Sequence, residues 1–131
     1  MIANGEERRK EAQKSALAMR ARFSRGDLPP CPVAVTLRVV GNRWRPLILQ
    51  RLATGACGHA ALLAAFRPLL TQKVLTENLR ALEGYGLLSR ETHPTNPPTV
   101  TYALTPLGRT LLPVLETMAE WGERFRGQVE S

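Results

Sequence analysis

The apolar positions of this chain fall into short periodic blocks rather than one long repeat. The block from Thr71 to Glu83 is the cleanest. At about 100° per residue, Leu75, Leu79 and Leu82 lie within roughly 60° of one another, with Lys73, Glu77 and Arg80 opposite. Thr71 suits the N-cap of this helix, because its hydroxyl can accept a bond from an unpaired first-turn amide. Upstream, His59 to Phe66 places Leu62, Leu63 and Phe66 on one side, and Arg67-Pro68-Leu69-Leu70 forms the turn. Two short helices joined by a tight turn, the second capped and basic, predict a helix-turn-helix.

The same reading supplies the flanking elements. Cys31-Pro32 opens a helix with Val33, Leu37 and Val40 as its stripe, and Gly41-Asn42 ends it. Arg43 to Ala53 is a helix with Trp44, Leu47, Ile48, Leu49 and Leu52 inward and Pro46 in its first turn. Residues 54–58 make a short connection with room for a β-bridge. Gly84-Tyr85-Gly86 closes the capped helix. Leu87 to Thr92 and Thr99 to Leu104 alternate as strands around a proline-stiffened loop, a wing behind the helix-turn-helix. Thr105 and Pro106 start a last helix that Pro113 should bend. Its stripe is Leu107, Leu111, Val114, Met118, Trp121 and Phe125. Residues 5–24, rich in Glu, Arg, Lys and Ala, predict a solvated helix or a partly disordered arm.

The expected fold is therefore mainly α with a small β-hairpin, a winged helix-turn-helix that dimerises through its N- and C-terminal helices. Three segments are expected: a charged helical arm at 1–30, the winged core at 31–104 and a dimerisation helix at 105–131. Leu111, Val114, Met118, Trp121 and Phe125 offer more apolar surface than a small winged domain buries alone, so they are the expected dimer interface.

Charge changes the picture from fold to partner. The chain of 131 residues carries a net charge of +7. Residues 31–90 hold eight basic side chains against only Glu77 and Glu83, whereas residues 91–131 are net negative. Positive charge concentrated around a capped, exposed helix favours a polyanion, because each Arg or Lys on a phosphate releases condensed counterions. Gln pairs well with adenine, and Lys with guanine or phosphate. Thr71, Gln72, Lys73 and Thr76 are thus the expected contacts to base edges and phosphates of double-stranded DNA. Arg80 and Arg90 are expected on the backbone, with Arg43, Arg45 and Arg67 as weaker contacts.

Other chemistry is thinly represented. Cys31 and Cys57 form no CxxC, and His59 and His93 are isolated, so neither a metal site nor a cofactor is expected. No nucleophile–base–acid set or phosphate loop appears, so the chain does not read as an enzyme. No run approaches the roughly 18 apolar residues of a membrane span, and Met1 to Arg25 is charged rather than apolar. A cytoplasmic protein with no membrane partner is expected. Cys31 stands before Pro32 at a helix start, where the dipole and free amides favour a thiolate, or else it is a small packed side chain. A second reading is a winged-helix module that binds a protein or a small effector instead of DNA.

Several motifs in order give the chain a resemblance to the HxlR-type family of winged helix-turn-helix regulators, relatives of the MarR group. They are Cys31-Pro32-Val33, Gly41-Asn42-Arg43-Trp44 with Leu47-Ile48-Leu49, Thr71 to Thr76, Leu79 to Glu83, Gly86-Leu87, Pro97-Pro98 with Val100, and Tyr102 to Gly108. The resemblance implies a homodimeric bacterial transcription regulator with the reading helix in the major groove; a two-fold dimer predicts a pseudo-palindromic site, and a repressor is expected, with an activator as the alternative. It also implies oxidant or electrophile sensing at Cys31, as in some family members. The chain departs from the family pattern at Thr99 and Thr101 in the wing and at His59, Ala61 and Ala64 in the preceding helix. Specificity is then expected to rest more on Gln72, Lys73 and Thr76.

Overall fold

The computed structural model describes residues 28–130. All but the last three residues of the expected 1–30 arm lie outside the described residues. Six helices and three strands follow in order: α1 Pro32–Val40, α2 Trp44–Leu52, β1 Cys57–Gly58, α3 His59–Ala65, α4 Gln72–Gly84, β2 Leu88–His93, β3 Thr99–Leu104, α5 Pro106–Arg109 and α6 Leu112–Glu130.

The core forms where the predicted stripes meet. Leu75, Leu79 and Leu82 of α4 pack with Ile48, Leu49 and Leu52 of α2 and with Leu62 of α3, all essentially sealed from water. Each such side chain contributes roughly 1.5–3 kcal/mol by burial. β3 is the central strand, with β1 and β2 antiparallel on either side. Leu88 pairs with Leu104 and His93 with Thr99, while the two residues of β1 pair as Cys57 with Tyr102 and Gly58 with Thr101. The bridge expected at 54–58 is thus a third strand that ties the helix-turn-helix to the wing.

The exit from α4 is a defined cap. Gly86 takes φ 79°, and Leu87 N–H donates to the Leu82 carbonyl at 3.0 Å. This six-to-one bond closes the helix and requires a left-handed residue, which glycine adopts without steric cost. Thr105 then locks the base of the wing onto this bend. Its Oγ1 donates to the Gly86 carbonyl (2.6 Å) and accepts from Gly108 N–H (3.0 Å), both in the interior.

Three expectations need correction. The expected α1 stripe is Val33, Leu37 and Val40, yet Val33 and Leu37 are 67% and 57% exposed, and only Val40 is buried. The helix is apolar nearly all round, so its periodicity fits two inner faces; the fold half-buries Val35 and Val39 instead. Leu47 of α2 is likewise exposed rather than inward. The last helix is broken rather than bent. Thr110 and Leu111 N–H bond three residues back, to Leu107 and Gly108, and α6 starts at Leu112 with Pro113 in its first turn. Proline has no N–H to bond four residues back and its ring clashes there, so it suits a helix start and not an interior. As a consequence Leu111, expected in the dimer interface, packs partly against the domain's own core.

Candidate nucleic-acid interface

The site is built around the N-terminal half of α4. Thr71 caps the helix, its Oγ1 accepting from Val74 N–H at 3.2 Å. Because the leucine stripe is sealed inward, the first turns present Gln72 and Lys73 to solvent, followed by Glu77 and Arg80. Thr71 itself is exposed at the entry to the helix. Arg67 is exposed on the turn that precedes it, and Arg90 is exposed on β2 opposite Tyr102. Arg43 is exposed with its Cζ 4.6 Å from the Trp44 ring, whose edge meets Phe66 at the end of α3.

Thr76 has a different role from the one its position suggests. Its hydroxyl donates to the Gln72 carbonyl at 2.8 Å, and its oxygen lies 3.1 Å from His59 Nε2. A hydroxyl has one proton; with that proton on Gln72, His59 must be the donor through Nε2–H. The half-buried Thr76 therefore joins α3 to α4, and its hydroxyl is already committed within the protein. The His59 departure from the family pattern accounts for this link.

Arg45 is also redirected. Its Nε donates to Asn78 Oδ1 (3.1 Å), and its Nη1 donates to the carbonyls of Arg38 and Val39 (3.1 Å each). Its guanidinium also lies 5.5 Å from the Tyr85 ring centroid. Donors held on acceptors within the chain leave it poorly placed for a phosphate, so Arg45 drops from the set of expected backbone contacts.

Sequence reasoning missed Asn42 and Asn78 as partners of this arginine. Asn42 Oδ1 accepts from the N–H groups of Trp44 and Arg45, satisfying the first turn of α2. Asn42 Nδ2 donates to Asn78 Oδ1 at 2.7 Å, and Asn78 Nδ2 donates to the Val74 carbonyl at 2.9 Å. A signal was available: position 78 lies roughly 40° from Leu82 around the helix. A polar residue inside a buried stripe needs a partner.

The wing carries little charge. Between Arg90 and Arg109 there is no Lys or Arg. Its tip is held by Thr95, whose Oγ1 donates to the Pro97 carbonyl, and its stem by the His93–Thr101 side-chain bond of 2.9 Å. Cys31 is exposed at the N-cap of α1, while Cys57 is buried in β1. Among the described residues, no helix is long and apolar enough to cross a membrane, and no three His, Cys, Asp or Glu side chains gather as a metal site.

Comparison with known proteins agrees with this geometry. A family model described as HxlR-like helix-turn-helix matches residues 39–130. The HTH-type transcriptional regulator YdeP of Bacillus subtilis is 37% identical over 108 residues, covering 82% of this chain and 84% of its own. The redox regulator HypR in its reduced form superposes with a TM-score of 0.71 at 38% identity, covering 76% of this chain and 98% of that one. The reduced form of the transcriptional regulator YodB of Bacillus subtilis gives 0.64 at 31% identity, covering 74% and 95%. On this match across the helix-turn-helix, the wing and α6, the chain belongs to the HxlR-like helix-turn-helix family of transcriptional regulators and is not an enzyme.

Proposed function

We propose that the protein is a homodimeric repressor that reads a pseudo-palindromic operator through α4. The observation that carries this reading is the exposure of Thr71, Gln72 and Lys73 at the capped start of a helix whose other side is sealed. Gln72 offers the paired donor and acceptor that match adenine in the major groove; Lys73 offers a cation to guanine or phosphate. Thr71 accepts from Val74 and keeps its own hydroxyl proton to donate to phosphate. Arg80, Arg90, Arg67 and Arg43 supply the surrounding positive charge for the backbone. With two such helices per dimer, half-sites should lie about 34–36 Å apart or a multiple of that.

Selection of duplexes from a random pool by the purified protein tests the reading. A two-fold symmetric consensus supports it, and no enrichment at low salt removes it. Lys73→Ala is then expected to weaken binding and to flatten the plot of log affinity against log salt by roughly one unit. A variant with the slope and affinity of the parent would take Lys73 out of the interface.

Regulation by oxidants or electrophiles fits Cys31. The thiol is exposed at a helix start that also carries the unpaired amides of α1. Cys57, sealed in β1, is shielded from reagents. The similarity to a redox regulator supports the same reading. Alkylation is expected to change operator binding of the parent protein and to leave Cys31→Ser unaffected. Equal responses in the two proteins would eliminate Cys31 as the sensor.

A further inference from the structure

We propose that Arg45, with Asn42 and Asn78, forms a positioning cluster that sets the angle of α4 against α1 and so governs which sequences α4 accepts, without touching the duplex. The inference rests on the DNA-reading role given to α4.

The argument starts from what one guanidinium holds. On one side Nη1 takes the carbonyls of Arg38 and Val39, at the C-terminal end of α1, where carbonyls lack partners within the helix. A cation is favoured at that negative end of the helix dipole. On the other side Nε takes Asn78 Oδ1 in the middle of α4, and the guanidinium lies near the Tyr85 ring just past its end. Asn78 and Tyr85 are two turns apart, about 10 Å along the axis. Arg45 therefore holds α4 at two separated points while gripping α1 at its end. Two anchor points resist rotation of a helix in a way that one does not.

Leucine packing alone leaves a small freedom of roll and slide, since burial is non-directional. Hydrogen bonds of fixed geometry remove it. Asn78 is one of only two buried polar residues among the described residues, and all of its side-chain bonds serve this cluster or its own helix. Asn42 completes the set by bonding α2 and α4 with one amide. An α4 turned by a few degrees would carry Gln72 and Lys73 off the base edges while leaving charge near the backbone. The cluster should therefore act on selectivity more than on electrostatic affinity.

The test measures the full-length protein against its selected operator and against a scrambled duplex, each across a salt series, with Arg45→Lys and Arg45→Met. Lys keeps the charge, but a point ammonium cannot reproduce the planar fork that spans both helices. Both variants are expected to lose about tenfold in the ratio of operator to scrambled affinity, a coupling of ordinary size, with the salt slope of the parent. Arg45→Lys, the milder change, keeps the test open if Arg45→Met does not fold. Unchanged selectivity in the folded variants overturns the cluster. So does a salt slope flattened by about one unit in Arg45→Met, which would place Arg45 on a phosphate. Absence of operator selectivity in the parent protein overturns the reading role of α4 instead.

Discussion

Trp121→Glu is expected to convert the protein to a monomer and to lower operator affinity by about 100-fold. Only Leu115 of the nineteen residues of α6 is buried. Val114, Met118, Trp121, Phe125 and Val129 are all exposed, at spacings of three and four that align on one side of the helix. Trp121 and Phe125 are 61% and 56% exposed, with rings stacked 5.2 Å apart between centroids. Tryptophan and phenylalanine bury roughly 150–250 Å² each when covered, so an apolar side of this size calls for a partner surface. A projecting helix of this length is marginal alone in water and gains its stability from packing. In the proposed dimer a carboxylate at position 121 would be taken out of water among the apolar side chains of the seam, at a desolvation cost. Losing the second reading head removes an avidity gain of about 10²–10⁴. Sedimentation at micromolar protein and titration of the operator check the two halves separately. A Trp121→Glu protein with the mass and affinity of the parent would show that α6 does not pair the protomers.

Gly108→Ala is expected to destabilise the fold strongly. A Cβ on Gly108 would stand 2.2 Å from the Leu87 carbonyl oxygen and 3.1 Å from its carbon. Both are backbone atoms in the bend that follows α4, and Leu87 O is already bonded to Thr105 N–H at 3.0 Å. The neighbour cannot move aside as a flexible side chain would. Relief would separate α5 from the bend and stretch the paired bonds of Thr105 to Gly86 and Gly108. A cost of about 3 kcal/mol is expected, the upper part of the range for overpacking, with a fall in Tm of roughly 10 °C or more. Thermal unfolding of the two proteins followed by circular dichroism measures it. A loss below 1 kcal/mol, on the order of a surface substitution, would mean that α5 is not held against this bend as described.

The sequence displayed the helix-turn-helix plainly because α4 has a single apolar stripe and a side-chain cap, signals that need only local information. The wing was legible for the same reason, through alternation and proline placement. α1 was misread because Val33, Val35, Leu37, Val39 and Val40 support more than one inner face, and tertiary packing makes the choice. The tail was misread at Pro113, where one proline is compatible with a kink or a restart, and the bonds of Thr110 and Leu111 decide for a restart. Among the candidate contacts, the exposure of Gln72 and Lys73 was legible from the helical wheel. The commitments of Thr76 and Arg45 were not, because their partners, His59 and Asn78, lie 17 and 33 residues away. Asn78 had a local signature, a polar residue within the leucine stripe, but only the fold identifies what it bonds.

The two-residue strand β1 sets a limit on how this reading head can be moved between proteins. By pairing Cys57 and Gly58 with Tyr102 and Thr101, it closes α3 and α4 inside a loop whose two ends are hydrogen-bonded together. A chimera that exchanged only residues 59–84 would keep both helices and the His59–Thr76 link yet seat them on a foreign wing, with no assurance that Asn78 meets partners matching Asn42 and Arg45. The natural unit of exchange runs from Arg38 through Gly108, which carries the Arg45 anchors on α1, Asn42, the closing strand and the Thr105 lock together. On the proposed role of α4, operator preference would be inherited by a block of chain and not by a single helix.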